Sequence, residues 1–535
     1  MRRTGTCTII GLWLLLIGSP LASGCEAAGR TTGSGDADAD GDTDTDVDTD
    51  AASDSDSDGD ADTDSDGDVG DGTCEHPGDT NLGCLFWAVD LPNVSDAPLS
   101  VQPQDRPFAI VVANTSAAVA ANVSVFSGSS ATPLDTKTVE VDAIAAFTLP
   151  NQSITPGATT SDGLAFRVES DVPIAAYQFN PLDNSVQTIY SNDASLLFPI
   201  QVLSKDYTAI TGPANLVSSD GFSGNAINTG GFVSVIATED DTTVTLFPTN
   251  SLYTGPYADI VLAEGQVLTA ISNGVDAAGN LSGTRVVADK KVAVFGGSVA
   301  TSEPSTTNKC CADHEEHQML PLEAWSAAYA VAPAADAEGN GDCRSLYRIS
   351  AGYDDTELVY YPAAPAGAPT VLGAYETAEI VTDQPFVVAA TDPLKTFSVT
   401  QFLLSSGEFG GVLSSYPGDP SMIVLPAVDQ FQTEYVFLVP PGYDSYYVTI
   451  VRGGDTEVDF DGAPVTTAFS SLGTYDGVDY QYAHVALTSD QWGRHSVSAS
   501  EPLAITVVGY ATTVSFGYPG GAGVSAISDI PDPPI

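Results

Sequence analysis

The chain has 535 residues with 70 acidic and 16 basic side chains, a formal net charge of −54. That length exceeds one ordinary domain, and a charge this negative repels phosphate backbones, which excludes a nucleic-acid partner. Hydrophobic residues at 43% and aromatic residues at 8% suffice for cores, while 50 Gly and 34 Pro favour many turns over long helices, so the expected class is all-β.

Arg2 and Arg3 precede an apolar run from Ile9 to Ile17, and Leu21-Ala22-Ser23-Gly24-Cys25 follows. This has the charge, length and small-residue exit of an export signal, and the run is too short to span a bilayer. A Cys after small residues resembles a bacterial lipobox, although Ala22 stands where Leu is usual. Residues 1–24 therefore read as a lipoprotein signal and Cys25 as the acylated new N-terminus; a plain secretory signal is the alternative. From Asp36 to Asp71, 17 Asp alternate with small residues, without a basic or aromatic side chain. Such a segment cannot bury a core, so 25–73 is expected to be a disordered tether. Three pieces read D-x-D-x-D-G, at Asp36 to Gly41, Asp54 to Gly59 and Asp62 to Gly67. The twelfth positions are Val47, Ser65 and Thr73 where a calcium loop needs Glu, so diffuse counterion binding is the reading.

From Cys74 the chain repeats itself. Four stretches alternate apolar and polar residues around an Asp- or Gly-rich turn: Phe108 to Phe126, Phe232 to Pro248, Tyr347 to Pro362 and Tyr447 to Gly462. Each predicts a β-hairpin with one buried face. Leu164 to Asn180, Leu281 to Gly296, Pro385 to Phe402 and Trp492 to Tyr510 predict a second hairpin in each copy. A junction also recurs, as Pro199, Leu203 and Tyr207, then Pro321, Trp325 and Tyr329, then Pro426, Phe431 and Tyr435. The expected architecture is four tandem β-sandwich-like units of about six strands, at 74–190, 191–310, 311–417 and 418–535, with a propeller-like arrangement as the alternative.

Export permits disulfides. Cys74 is expected to pair with Cys84, and Cys343 with Cys310 or Cys311, leaving one thiol over. The stretch from Cys310 to Gln318 holds His314, Glu315, Glu316 and His317, the residue types of a zinc site. Its two His are three apart, however, where H-E-x-x-H needs four. In the neighbouring copies only an Asp persists, as Asp193, Asp313 and Asp419, six, eight and seven residues before the junction Pro. These read as turn residues that accept backbone N–H bonds, with His314 and Gln318 adding local bonds. No metal, cofactor or catalytic residue is assigned; His76, His484 and His495 are isolated, and Tyr443, Tyr446 and Tyr447 are candidate exposed contact residues.

Gly83-CLFWAVDL, Lys291-VAVFGG, the run of Cys311, Asp313, His314, Gln318, Pro321 and Trp325, and Gly418-Asp419-Pro420-Ser421-Met422 resemble the IgGFc-binding protein N-terminal domain family across residues 74 to 520. Animal members of that family are secreted mucus proteins associated with Fc binding, and bacterial members stand behind Asp-rich tethers mostly without an assigned activity. The resemblance implies a non-catalytic binding or adhesion protein, lipid-anchored at the bacterial outer membrane or cell surface, with an extracellular protein or glycan as partner. The doubled Cys310-Cys311 and His317 depart from the family pattern. The alternatives are a passive acidic coat and a metal-dependent hydrolase using 310–318.

Overall fold

The computed structural model describes residues 73–75, 77–94, 103–152, 165–182, 191–213, 230–252, 257–274, 277–306, 309, 311–409 and 416–524. The signal, Cys25, the tether with its D-x-D-x-D-G pieces, His76 and Cys310 lie outside them. All described residues belong to one compact unit, Ser65–Ile535. It is all-β, with short 3-10 turns as the helical elements among the described residues, and no helix there is long and apolar enough to cross a membrane.

Strands are laid down in consecutive blocks. The first contains β1 (Gly83–Val89), β2 (Phe108–Ala113), β3 (Ala121–Ser127), β4 (Pro133–Val139), β5 (Ile144–Leu149), β6 (Ala165–Asn180) and β7 (Asp193–Leu197). The second contains β8 (Ser204–Ala209), β9 (Gly231–Ala237), β10 (Thr242–Phe247), β11 (Ile260–Leu262), β12 (Val267–Ile271), β13 (Thr284–Thr301) and β14 (Asp313–Gln318). The third contains β15 (Ala328–Val331), β16 (Ala334–Ala335), β17 (Asp342–Cys343), β18 (Ser345–Ala351), β19 (Thr356–Tyr361), β20 (Val371–Leu372), β21 (Thr377–Thr382), β22 (Phe386–Ala390), β23 (Phe397–Phe402) and β24 (Met422–Val424). The last contains β25 (Gln432–Val439), β26 (Ser445–Gly453), β27 (Val458–Phe460), β28 (Ala463–Pro464), β29 (Ser470–Tyr475), β30 (Val478–Thr488), β31 (Gly493–Ala511) and β32 (Val514–Pro519).

One strand order recurs. The first sheet runs β4-β3-β6-β2-β5 and the second β11-β10-β13-β9-β12, each 7-stranded with two further strands on the long central one. In the third block two 4-stranded sheets, β15-β22-β19-β20 and β21-β18-β23-β24, take the place of one continuous sheet. The last sheet has β27-β31-β26-β30 at its centre.

This order corrects the expected hairpins. β2 pairs with β5 and β6, and β3 with β4 and β6, so the two strands flanking the first turn never pair with each other. The turn is an arch between two layers. Nor is the second segment a hairpin: Ala165–Asn180 is one bent strand whose first half pairs with β1 and β3 and whose second half pairs with β2 and β7. Thr284–Thr301 and Gly493–Ala511 are likewise single strands, and the corresponding β22 and β23 pair with different neighbours rather than with each other. The polar residues that suggested a turn, Asp289, Lys290 and Lys291 in β13, mark the exposed bend where the strand passes between layers, and the β13–β8 register shifts between Val287 and Val292. Asp at the arch tips matches its local chemistry, since Asp241 and Asp355 take φ 56° and 55°, a left-handed conformation that Asp tolerates.

The family motif after Lys291 ends in Gly296-Gly297 because neighbouring backbone lies against it. A Cβ on Gly297 would stand 1.9 Å from the Glu315 carbonyl oxygen, and one on Gly296 would stand 2.1 Å from that of Ile210. The core is not divided block by block either. One apolar cluster runs from Phe86 and Trp87 through Val294 and Phe295 to Phe516 and Tyr518, while a second centres on the third block with Tyr329, Tyr347 and Phe386. The two ends of the unit meet: Asn81 N–H donates to the Ala522 carbonyl at 3.0 Å, and Val524 N–H to that of Asp79 at 2.7 Å.

The recurrent junction has a physical basis. Pro199 and Pro321 cap 3-10 turns at Ile200–Val202 and Leu322–Ala324, and Val428–Gln430 is the third such turn. A buried Tyr follows, and its hydroxyl donates to a carbonyl of the bent or split strand: Tyr207 to Val292 at 2.8 Å, Tyr329 to Phe397 at 2.8 Å and Tyr435 to Leu503 at 2.5 Å. Tyr207 and Tyr435 also accept backbone N–H bonds from Ser204 and Gln432. Each Tyr→Phe substitution is expected to cost about 1–3 kcal/mol, because a buried carbonyl loses its donor. Thermal denaturation of the three variants checks this.

Candidate functional site

The sheet-closing strands β7, β14, β24 and β32 converge, so the expected unit boundaries fall one strand early. Strand β7 pairs with β6 and β14 pairs with β13, each closing the block before it. Asp193 and Asp313 therefore begin strands instead of lying in turns, and Asp419 stands just before β24.

These carboxylates do accept backbone N–H bonds, but across blocks. Asp193 Oδ2 receives the N–H groups of Glu316 at 3.1 Å and Met422 at 3.0 Å. Its Oδ1 receives Ser421 Oγ at 2.7 Å, the Ala194 N–H at 2.9 Å and the Gly517 N–H at 3.4 Å. Asp313 Oδ1 accepts from Asn192 N–H at 2.9 Å, and Asp419 Oδ1 from the N–H groups of Cys311 at 3.2 Å and Ser406 at 3.3 Å. Gln318 also acts at long range, its Oε1 accepting from Phe198 N–H at 2.8 Å. All four side chains are buried. The arrangement clamps strands that share no ladder, because side-chain oxygens satisfy backbone donors that a sheet would otherwise pair. Burial pushes the Asp193 and Asp313 carboxyls well above the usual range, and for Asp313 the neighbouring Asp419 and Asp193 add to the rise.

The two His of β14 project to opposite faces, as residues an odd number apart on a strand must. His314 Nε2 lies 3.0 Å from Glu316 Oε2, and its ring stacks on Phe232. Glu316 also accepts from Gln178 Nε2 at 3.0 Å and Asn180 Nδ2 at 3.3 Å. His317 donates through Nδ1 to the Gln318 carbonyl at 2.7 Å, and burial lowers its pKa to about 4, so it is neutral. Glu315 is buried with neither carboxyl oxygen hydrogen-bonded among the described residues, and burial raises its pKa well above the ordinary value. Among the described residues no three His, Cys, Asp or Glu side chains are grouped to hold a metal. The zinc-type composition of this stretch is spent on opposite faces of one buried strand.

Nearby, Arg348 donates to Glu303 at 2.6 Å and Glu379 at 2.8 Å and lies over the Phe402 ring, tying the second block to the third. Burial raises Glu303 to about 7 against the opposing pull of Arg348.

Cys74 and Cys84 form a disulfide with Cα atoms 5.6 Å apart. Cys343 does not pair with Cys310 or Cys311: it is a free buried thiol beside Tyr416 Oη at 3.4 Å, while Cys311 is disulfide-bonded to a residue outside the described ones. Tyr443, Tyr446 and Tyr447 are buried and not exposed contact residues; Tyr443 and Tyr446 pack against Phe516. Tyr446 and Tyr447 lie on a strand that faces two cores, so period-2 patterning had no outward side to report.

One constellation had no signal in the sequence. Thr449 and His484 are directly opposed on β26 and β30, with Thr449 Oγ1 2.9 Å from His484 Nδ1. His484 Nε2 lies 3.1 Å from Asp342 Oδ1, and Tyr482 Oη donates to Asp342 Oδ2 at 2.7 Å. Burial alone would raise Asp342, but the His484 and Tyr482 bonds outweigh it and hold the carboxyl below its ordinary value. Thr449 also lines a cavity of ≈ 20 Å³ between the third and last blocks, together with Gln401, Thr506, Ala330, Ala332 and Val451.

Residues 193–509 match the family model described as IgGFc binding protein. The match opens at the clamp residue Asp193 and leaves the first block before β7 outside. No curated protein and no solved structure matches the chain.

Proposed function

The chain belongs to the IgGFc-binding protein family, and on that premise we propose that it is a non-catalytic binding protein, lipid-anchored through Cys25 at the bacterial cell surface, which captures an extracellular protein or glycan. The family match over 193–509 is the observation that carries the reading. The clamp supports it, since Asp193, Asp313 and Asp419, committed to holding buried strands together, are not offered to a substrate. The acidic surface would select against anionic partners and keep the anchored head soluble.

Pull-down with the full chain against mucins, other glycoproteins, IgG Fc and polysaccharides tests it. Saturable binding to one of them is expected to survive ~0.5 M salt, where the Debye length falls to several ångströms and charge attraction is screened. Binding to none would favour a passive acidic coat.

A further inference from the structure

We infer that the structure carries a self-forming covalent cross-link, an ester between Thr449 Oγ1 and the side-chain carbonyl carbon of Gln401, which would join the last block to the third. The argument rests on the constellation between those blocks. Asp342, as an acceptor, assigns the proton of a neutral His484 ring to Nε2 and leaves the Nδ1 lone pair facing the Thr449 hydroxyl at 2.9 Å. A hydroxyl bonded to a ring nitrogen whose other nitrogen is held by a carboxylate is the arrangement that activates an alcohol as a nucleophile.

Gln401 lines the same cavity. Gln401 Nε2 donates to Ala332 O at 3.4 Å, Ser345 Oγ at 3.2 Å and Tyr347 Oη at 3.2 Å. A backbone carbonyl can only accept, so Ala332 settles which end of the amide is nitrogen. The carbonyl oxygen Oε1 receives no hydrogen bond from the described residues. Gln401 brings the amide to the cavity and Thr449 and Thr506 the hydroxyls, of which Thr449 is the one bonded to His484, and ≈ 20 Å³ is room for about one water molecule. Both side chains are buried and line one cavity from two different sheets, so the two groups are presented to each other without a diffusional encounter, the condition under which an intramolecular acyl transfer gains its rate.

The step balances without a co-reactant. Thr449 Oγ1 attacks Gln401 Cδ as its proton passes to His484 Nδ1, the Cδ–Nε2 bond breaks, and the imidazolium returns the proton to the departing nitrogen. A hydroxyl and a primary amide become an ester and ammonia, with no change of oxidation state. Asp342 is a positioning residue, since it acts through the His484 ring.

Peptide mapping of the purified full chain by tandem mass spectrometry decides the matter. The Gln401 and Thr449 peptides are expected as one branched species, lighter than their sum by ~17 Da, the mass of the ammonia lost on acyl transfer, and split by hydroxylamine. Thr449→Val and His484→Ala are expected to give separate linear peptides, Thr449→Ser to keep the link and Asp342→Asn to form it more slowly. Recovery of both wild-type peptides only as separate linear species with an intact amide would overturn the inference and leave a cross-strand Thr–His hydrogen bond beside a hydrated cavity. Because the wild-type chain gives that answer by itself, a variant that fails to fold does not blur it.

Discussion

Asp193→Ala is expected to lower stability by about 3–5 kcal/mol, among the largest effects of any single substitution, because it strands buried donors on every block at once. The carboxylate receives Ser421 Oγ and the N–H groups of Ala194, Glu316, Met422 and Gly517. A neutral buried donor without an acceptor costs about 1–3 kcal/mol, and losses sharing one cavity do not add in full. Asp193→Asn keeps the volume but turns an amide N–H toward the same donors, so an intermediate loss is expected. Asp142→Asn provides the comparison: it removes the charge of a surface-exposed pair with Arg494, a kind that contributes about 0–1 kcal/mol, and keeps a side chain that tolerates the φ of 56° at this position. Thermal and denaturant unfolding of the three variants measures the difference. An Asp193→Ala chain as stable as Asp142→Asn would show that the strands hold by apolar packing alone.

Stability is expected to peak near pH 5, a second large effect with a sign set by the buried carboxyls. Burial lifts Asp90 to about 7, with a backbone bond from Gln152 opposing it and Glu316 adding to the rise, and Glu303 is also lifted to about 7. A carboxyl raised in the folded state contributes stability that is complete below its unfolded pKa, near 4, and is lost as pH climbs through 7. At about 1.4 kcal/mol per unit, these two groups favour the fold at pH 5 over pH 8 by a few kcal/mol, and Asp193, Asp313 and Glu315 act in the same direction. His317 opposes them: lowered to about 4, it contributes stability that is present above its unfolded pKa of 6.5 and is lost as pH falls through 4. The melting temperature should therefore rise from pH 8 to about pH 5 and fall again below pH 4. A melting temperature that climbs steadily from pH 5 to pH 8 would mean that the buried carboxyls are ionised and fully compensated.

Local chemistry was legible wherever its cause was local. Alternation located the strands of Phe108 to Phe126 and of the three matching stretches, Asp marked the arch tips, and the Pro-to-Tyr junction announced a repeated element that proved to be a 3-10 turn with a hydroxyl anchor. Cys74 and Cys84 paired as their spacing indicated. The clamp was half legible: a persisting Asp showed that something accepted hydrogen bonds, yet its donors lie more than a hundred residues away on neighbouring blocks. The Thr449–His484–Asp342 constellation was not legible at all, since Asp342 is 142 residues from His484 and meets it only where two blocks pack.

Composition, alternation and turn residues determined an acidic, all-β chain, the places where it bends and the motifs of its family. Only the tertiary structure decided whether a bend became a hairpin or an arch, because both use the same alternating strands around the same left-handed Asp, and what separates them is the partner each strand's backbone finds. That partner is the long strand such as Ala165–Asn180, whose two halves serve two layers. The fate of the polar side chains follows from the same cause: strands closing different blocks meet edge to edge without a ladder, and Asp193, Asp313 and Asp419 supply the acceptors that the missing ladder would have provided.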